Sequence, residues 1–161
     1  MRFWEGVPPA EGGYPGLNPR TEVDKENGII CEYDVAVTMR DGVKINVDIF
    51  RPEKEGKYPV LIAWSPYGKH GRVKYTLFPK CGVCDADMSK YCAFEGPDPV
   101  YWCPNGYVVI NVDPRGCWGS EGDLTYMSQQ EAEDCYDLIE WAGTQSWSNG
   151  KVGMTGVSYL A

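Results

Sequence analysis

The stretch Lys151-Val152-Gly153-Met154-Thr155-Gly156-Val157-Ser158-Tyr159-Leu160-Ala161 decides how the rest of the chain is read. Its apolar part, Val152 to Thr155, runs into Gly156-Val157-Ser158-Tyr159. A strand that delivers a serine onto a sharp turn before a helix has this form. Such a nucleophile elbow lifts the hydroxyl above the sheet edge. There the backbone N–H of the next residue can serve an oxyanion. Gly156, two positions before the serine, lets the following helix pack closely. The pattern G-x-S-x-G is incomplete, because Leu160 holds its last place. A glycine-bounded core strand would carry the same residues, so the stretch alone leaves both readings open.

Working outward, the chain of 161 residues has the size of one ordinary domain. Its 6 Trp, 11 Tyr and 4 Phe supply large side chains for a core. A formal net charge of −8 disfavours nucleic acid and anionic membranes as partners, since both reward Lys and Arg. No stretch approaches the roughly 20 apolar residues of a membrane span, and the first residues lack the apolar core of a signal peptide. A cytoplasmic location is the default expectation, with the seven cysteines mostly reduced. Their odd number also argues against a fully paired disulfide framework.

Residues 1–32 read as an irregular arm, because Pro8, Pro9, Gly12, Gly13, Pro15 and Gly16 fall close together. From Tyr33 the pattern changes. Val35, Val37 and Met39 alternate with polar or small neighbours, and so do Val43, Ile45, Val47 and Ile49 beyond Asp41-Gly42. This predicts a β-hairpin about a type I′ turn, with one wet face. Pro59 to Trp64 and Tyr107 to Val112 are continuously apolar, as strands covered on both faces are. Each runs into a loop, Ser65-Pro66-Tyr67-Gly68-Lys69 and Asp113-Pro114-Arg115-Gly116.

A helix follows. Ser128 and Glu131 have the spacing of a capping box. Ala132, Cys135, Tyr136, Ile139 and Ala142 mark one apolar face, and Gly143 is placed to end it. Ser148-Asn149-Gly150 then reads as a turn before a third buried strand. This order predicts an α/β fold, a mostly parallel sheet with an antiparallel hairpin at its edge. Functional residues should gather at the carboxyl ends of the parallel strands. Tyr67, Arg115 and Ser158 all follow such ends, a convergence that favours the catalytic reading of Ser158.

At this level the chain resembles the N-terminal part of the α/β-hydrolase domain of the CocE/NonD family. That family takes in cocaine esterase, α-amino-acid ester hydrolases and Xaa-Pro dipeptidyl-peptidases. The matching stretches run in order from Met39-Arg40-Asp41-Gly42-Val43-Lys44 and Ser65-Pro66-Tyr67-Gly68-Lys69 through Asn105 to Asp113 with Arg115-Gly116. Gly119-Ser120-Glu121-Gly122, Glu140-Trp141, Trp147 to Gly153 and Gly156-Val157-Ser158-Tyr159 complete them. The resemblance covers about residues 33–161, with a cysteine-containing loop insertion at about 70–104. It also accommodates Leu160, since the family accepts a non-glycine there and keeps a small residue one place later, here Ala161.

The resemblance implies a serine hydrolase that cleaves an ester or amide through an acyl-enzyme on Ser158. The backbone N–H of Tyr159 and the hydroxyl of Tyr67 would be the oxyanion donors, and Arg115 would be structural. No cofactor is implied. The substrate would be a small ester, amide or peptide, and a homo-oligomer stays open. In this fold the acid and base follow the serine, so both are expected beyond Ala161. His70, the one histidine, precedes the serine and reads as a loop residue. Family members are several times longer, with a helical cap and a C-terminal β domain. The remainder of such a hydrolase chain would therefore be a partner, and this portion alone is expected to be poorly stable and inactive. The alternative is a non-catalytic binding domain. Its loop would hold free thiols or a structural zinc on Cys81, Cys84, Cys92 and Cys103, although the second pair lacks the C-x2-C spacing.

Overall fold

The computed structural model describes residues 16–69, 82 and 84–160. Six strands lie in one sheet: β1 (Arg20–Asp24), β2 (Ile29–Thr38), β3 (Lys44–Pro52), β4 (Tyr58–Trp64), β5 (Val108–Asp113) and β6 (Ser148–Met154). Their order is β1-β2-β3-β5-β4-β6. β1 to β3 are antiparallel neighbours, and β3 meets β5 antiparallel. β4 pairs parallel with β5 on one side and β6 on the other. The sheet is thus mixed, with the hairpin side antiparallel and the elbow side parallel. A short helix α1 (Pro99–Trp102) precedes β5, and α2 (Gln129–Thr144) links β5 to β6.

Part of the expected arm is a strand. β1 lies within residues 1–32, and β2 begins at Ile29 rather than Tyr33. β1 is exposed at four of its five positions, so it carries no apolar alternation to be read. Its pairing with β2 comes from the main chain. In β2 the register shifts between Glu32 and Val35, where Asp34 takes φ +54°. That bulge breaks the period-2 pattern.

The hairpin forms, but its turn is not type I′. Of Asp41 and Gly42 only Gly42 has positive φ, at +90°. The Gly42 N–H donates to Met39 O at 2.9 Å, and the Met39 N–H to Val43 O at 2.8 Å. This is the three-residue loop in which a left-handed glycine forms the bulge. The expected wet face is present on β2 and missing on β3, which is buried at nearly every position. β3 is an interior strand between β2 and β5.

The main core lies between the sheet and α2. Ile45, Val47, Ile49, Val60, Ile62, Val108, Ile110 and Val112 pack there with Leu138 and Ala142. A smaller cluster gathers Ile29, Cys31, Phe50, Cys103 and Val109. Asn46, Asp48, Asn111 and Asp113 are also fully buried, so these central strands are not apolar on both faces.

Helix α2 starts where the sequence predicts, with the Glu131 N–H donating to Ser128 Oγ at 3.2 Å. Its buried stripe is different. Asp134, Leu138 and Ala142 are buried, whereas Ala132 and Tyr136 are exposed. The apolar count missed this register because a carboxylate stands in the stripe. Gly143 is inside the helix, and the cap falls on Gln145 in extended geometry. Ser148-Asn149-Gly150 begins β6 instead of forming a separate turn, and the pairing with β4 skips a register there. β6 is mostly exposed, not a buried strand. No described helix is long and apolar enough to cross a membrane.

Candidate active site

Because β5, β4 and β6 run parallel, three loops leave the same edge of the sheet side by side. They carry Arg115, Tyr67 and Ser158. The sequence-predicted convergence therefore exists, and the three residues differ sharply in what surrounds them.

Ser158 stands on an abrupt turn. The Thr155 N–H still donates to Ile62 O of β4 at 3.1 Å, so pairing continues one residue past β6. Ser158 then takes φ +60° and opens a 3₁₀ turn through Leu160. The Leu160 N–H donates to Val157 O at 3.2 Å. Ser158 is exposed, whereas Leu160 is 1% exposed and plugs the core. Gly156 permits this reversal, since a Cβ there would meet Leu160 Cβ at 2.1 Å. A left-handed non-glycine residue costs about 1–3 kcal/mol and persists only where its surroundings determine it. Asp34, Glu95, Trp118 and Met127 share that conformation. Of these, Trp118 and Ser158 lie in the loops that follow parallel strands, β5 and β6.

Tyr67 sits on the turn after β4, closed by the Gly68 N–H donating to Ser65 O at 3.1 Å. The Tyr67 N–H donates to Ser65 Oγ at 3.0 Å. Its ring meets Phe94 edge-on, with centroids 5.0 Å apart, and stays 39% exposed.

Arg115 is occupied. Its guanidinium donates to both oxygens of buried Asp134, 2.7 Å each, and reaches Asp41 Oδ2 at 2.9 Å. The hydrogen bond to Asp134 holds the guanidinium charged, above its already high range. Arg115 thus ties the hairpin turn to α2, in keeping with the structural role that the resemblance implied.

Two features escaped the sequence reading. Lys69 is buried, with its ammonium on Asp34 and on Asp48 at 2.7 Å. Burial disfavours the charge, but the two carboxylates outweigh it and hold Lys69 above its ordinary range. The Lys69 N–H donates to Asp113 Oδ1 at 2.8 Å. Desolvation pushes the Asp113 carboxyl up to about 6. A cavity of about 280 Å³ is lined by Tyr33, Asp48, Phe50, Lys69 and Tyr91, and by neither Tyr67 nor Ser158.

The second is Glu131. The capping box is only half formed, because the Glu131 carboxylate turns away from Ser128. Met127 N–H donates to Oε2 at 2.6 Å and the Trp64 indole to Oε1 at 3.0 Å. The Tyr159 phenol lies 2.7 Å from both oxygens. Burial and this carboxylate push the phenol up to about 12. Spacing within the helix could not disclose contacts with residues 67 positions before and 28 after.

His70 and Cys81 lie outside the described residues. Cys103 is buried in the smaller core and Cys84 is exposed. Among the described residues no group of three or more His, Cys, Asp or Glu could hold a metal ion.

Comparison with known proteins agrees with this architecture. The chain is 34% identical to cocaine esterase of Rhodococcus sp. over 79% of its own length and 19% of the esterase. A CocE/NonD family hydrolase from Staphylococcus aureus superposes with a TM-score of 0.74 at 48% identity, covering 82% of this chain and 23% of that one. An α-amino acid ester hydrolase gives 0.62 at 29% identity, covering 96% and 25%. The chain therefore spans about a fifth to a quarter of the length of these proteins. The model of the X-Pro dipeptidyl-peptidase (S15) family matches residues 41–161, and the chain belongs to that family of hydrolases.

Proposed function

We propose that this chain carries the nucleophile of a serine hydrolase that cleaves an acyl ester or an X-Pro peptide. The observation that carries the reading is Ser158 itself, exposed and left-handed directly beyond the parallel strand β6. In this mechanism the Ser158 hydroxyl attacks the substrate carbonyl and its proton passes to a base. The tetrahedral oxyanion takes hydrogen bonds from the Tyr159 N–H and the Tyr67 hydroxyl. Collapse expels an alcohol or amine, which takes that proton, and water then hydrolyses the Ser158 ester. A phenol suits the oxyanion because it donates one hydrogen bond without bringing a charge. The loops of adjacent strands β4 and β6 support this pairing of Tyr67 with Ser158.

The acid and base of the triad come, on this reading, from outside residues 1–161, so these residues alone turn over no ester. The test is a fluorophosphonate probe on the full-length protein, which labels only an activated serine. Labelling that disappears in Ser158→Ala is expected. Labelling that survives the substitution would place the nucleophile elsewhere.

A further inference from the structure

Glu131 hydrogen-bonds to neither Ser158 nor Tyr67, yet it is bonded to the segments that carry both. Trp64, its first donor, is the last residue of β4, three positions before Tyr67. Tyr159, its second, follows Ser158 and owns the N–H proposed for the oxyanion. Met127, its third, is the left-handed residue that brings the chain into α2. One carboxylate on the first turn of α2 thus joins the end of β4, the entry to α2 and the elbow.

The chemistry suits a fastening role. A carboxylate accepts several hydrogen bonds at once, and charge-assisted bonds are the stronger kind. All three donors, an indole N–H, a phenol and a backbone N–H, are neutral. The Tyr159 ring also packs edge-on against Tyr126, with centroids 6.2 Å apart, and against the main core. The phenol is therefore held at its tip and along its ring. Holding the tip of Tyr159 restrains its backbone, and with it the left-handed turn at Ser158. Oxyanion donors must be fixed before charge develops, and a misplacement of about 1 Å can cost about 100-fold in rate.

We infer that Glu131 is a positioning residue: by binding Trp64 and Tyr159 together it sets the spacing between the two oxyanion donors. The inference rests on the proposed roles of Ser158, Tyr67 and Tyr159.

The experiment uses the full-length protein, with active sites counted by fluorophosphonate labelling and kcat expressed per labelled site. Glu131→Ala is expected to lower kcat about 10- to 100-fold and to leave KM within about twofold. Glu131→Gln, which keeps one acceptor oxygen, should recover part of that loss. Tyr159→Phe keeps the ring and loses only the bond, so it should reproduce the loss even where Glu131→Ala fails to fold. The double variant should be no slower than the worse single one, as expected for two ends of one contact. A purely structural Glu131 would reduce the number of labelled sites and leave kcat per site unchanged, and that result overturns the inference. Unchanged kcat per site in Tyr159→Phe overturns it as well. Wild-type protein that turns over ester but takes no label at Ser158 instead defeats the functional reading beneath it.

Discussion

Arg115 and Ser158 stand just past the carboxyl ends of two strands that flank β4, yet they are opposites. Arg115 is buried with its charges matched on Asp134 and Asp41. Ser158 is exposed and strained. The loop after β5 is held by ion pairs, and its arginine has little left to offer a ligand. The elbow after β6 is held from behind, by Leu160 in the core and Tyr159 on Glu131, and Ser158 is left exposed. A place at the end of a parallel strand is therefore a weak indicator of chemistry by itself. At these two strand ends, solvent exposure and a left-handed backbone set Ser158 apart from Arg115.

The contrast can be broken by substitution in the full-length protein. Ser158→Ala should give the largest effect, a loss of about 10⁴-fold or more in ester turnover with the melting temperature unchanged within about 2 °C. Comparable turnover in that variant would remove the distinction altogether. Arg115→Ala leaves buried Asp134 without its cation and with only the Gln130 amide on it, so a loss of about 3–5 kcal/mol in stability is expected, read by denaturant unfolding. The molecules that remain folded should keep kcat within a few-fold. A large fall in kcat at full stability would mean that Arg115 acts on substrate.

Tyr67→Phe removes one hydroxyl from a half-exposed ring. A fall in kcat of about 100- to 1,000-fold is expected, with no change in melting temperature, since one oxyanion donor is worth about 2.7–4 kcal/mol of barrier. Equal rates for the two proteins would leave Tyr67 a turn residue.

Asp113 offers the smallest effect. Burial favours its neutral form, so the native state holds a proton that the unfolded state releases at lower pH. The stability this provides is complete below about 3.8 and is lost as the pH rises through about 6. Asp113→Asn should therefore gain a few degrees over the wild type on going from pH 4 to 7, in paired thermal melts. An offset constant across that range would show that the carboxyl is not displaced.

Much of the sheet was legible in the residues. Apolar runs marked β4 and β5, alternation about Asp41-Gly42 marked the hairpin, and Ser128 marked the start of α2. These signals are local, because side-chain period and capping depend on near neighbours. The failures share a cause. β1 has no apolar face, the stripe of α2 contains Asp134, and Glu131 was assigned to the cap beside it. Main-chain pairing with the next strand holds β1, and partners distant in the chain supply what the local pattern lacks at Asp134 and Glu131.

The sequence by itself placed Gly156 and Ser158 at the end of an apolar run, and the stretch alone left a sharp turn and a glycine-bounded core strand both open. Its likeness to a hydrolase family also came from the order of short motifs alone. Only the tertiary structure decided that Arg115 is engaged by two carboxylates. It also decided that Glu131 joins the end of β4 to the elbow and that the central strands bury charge on Lys69. Ion pairs and hydrogen bonds of this kind form between segments that meet only when the sheet assembles. Water would satisfy the same groups equally well in any local fragment.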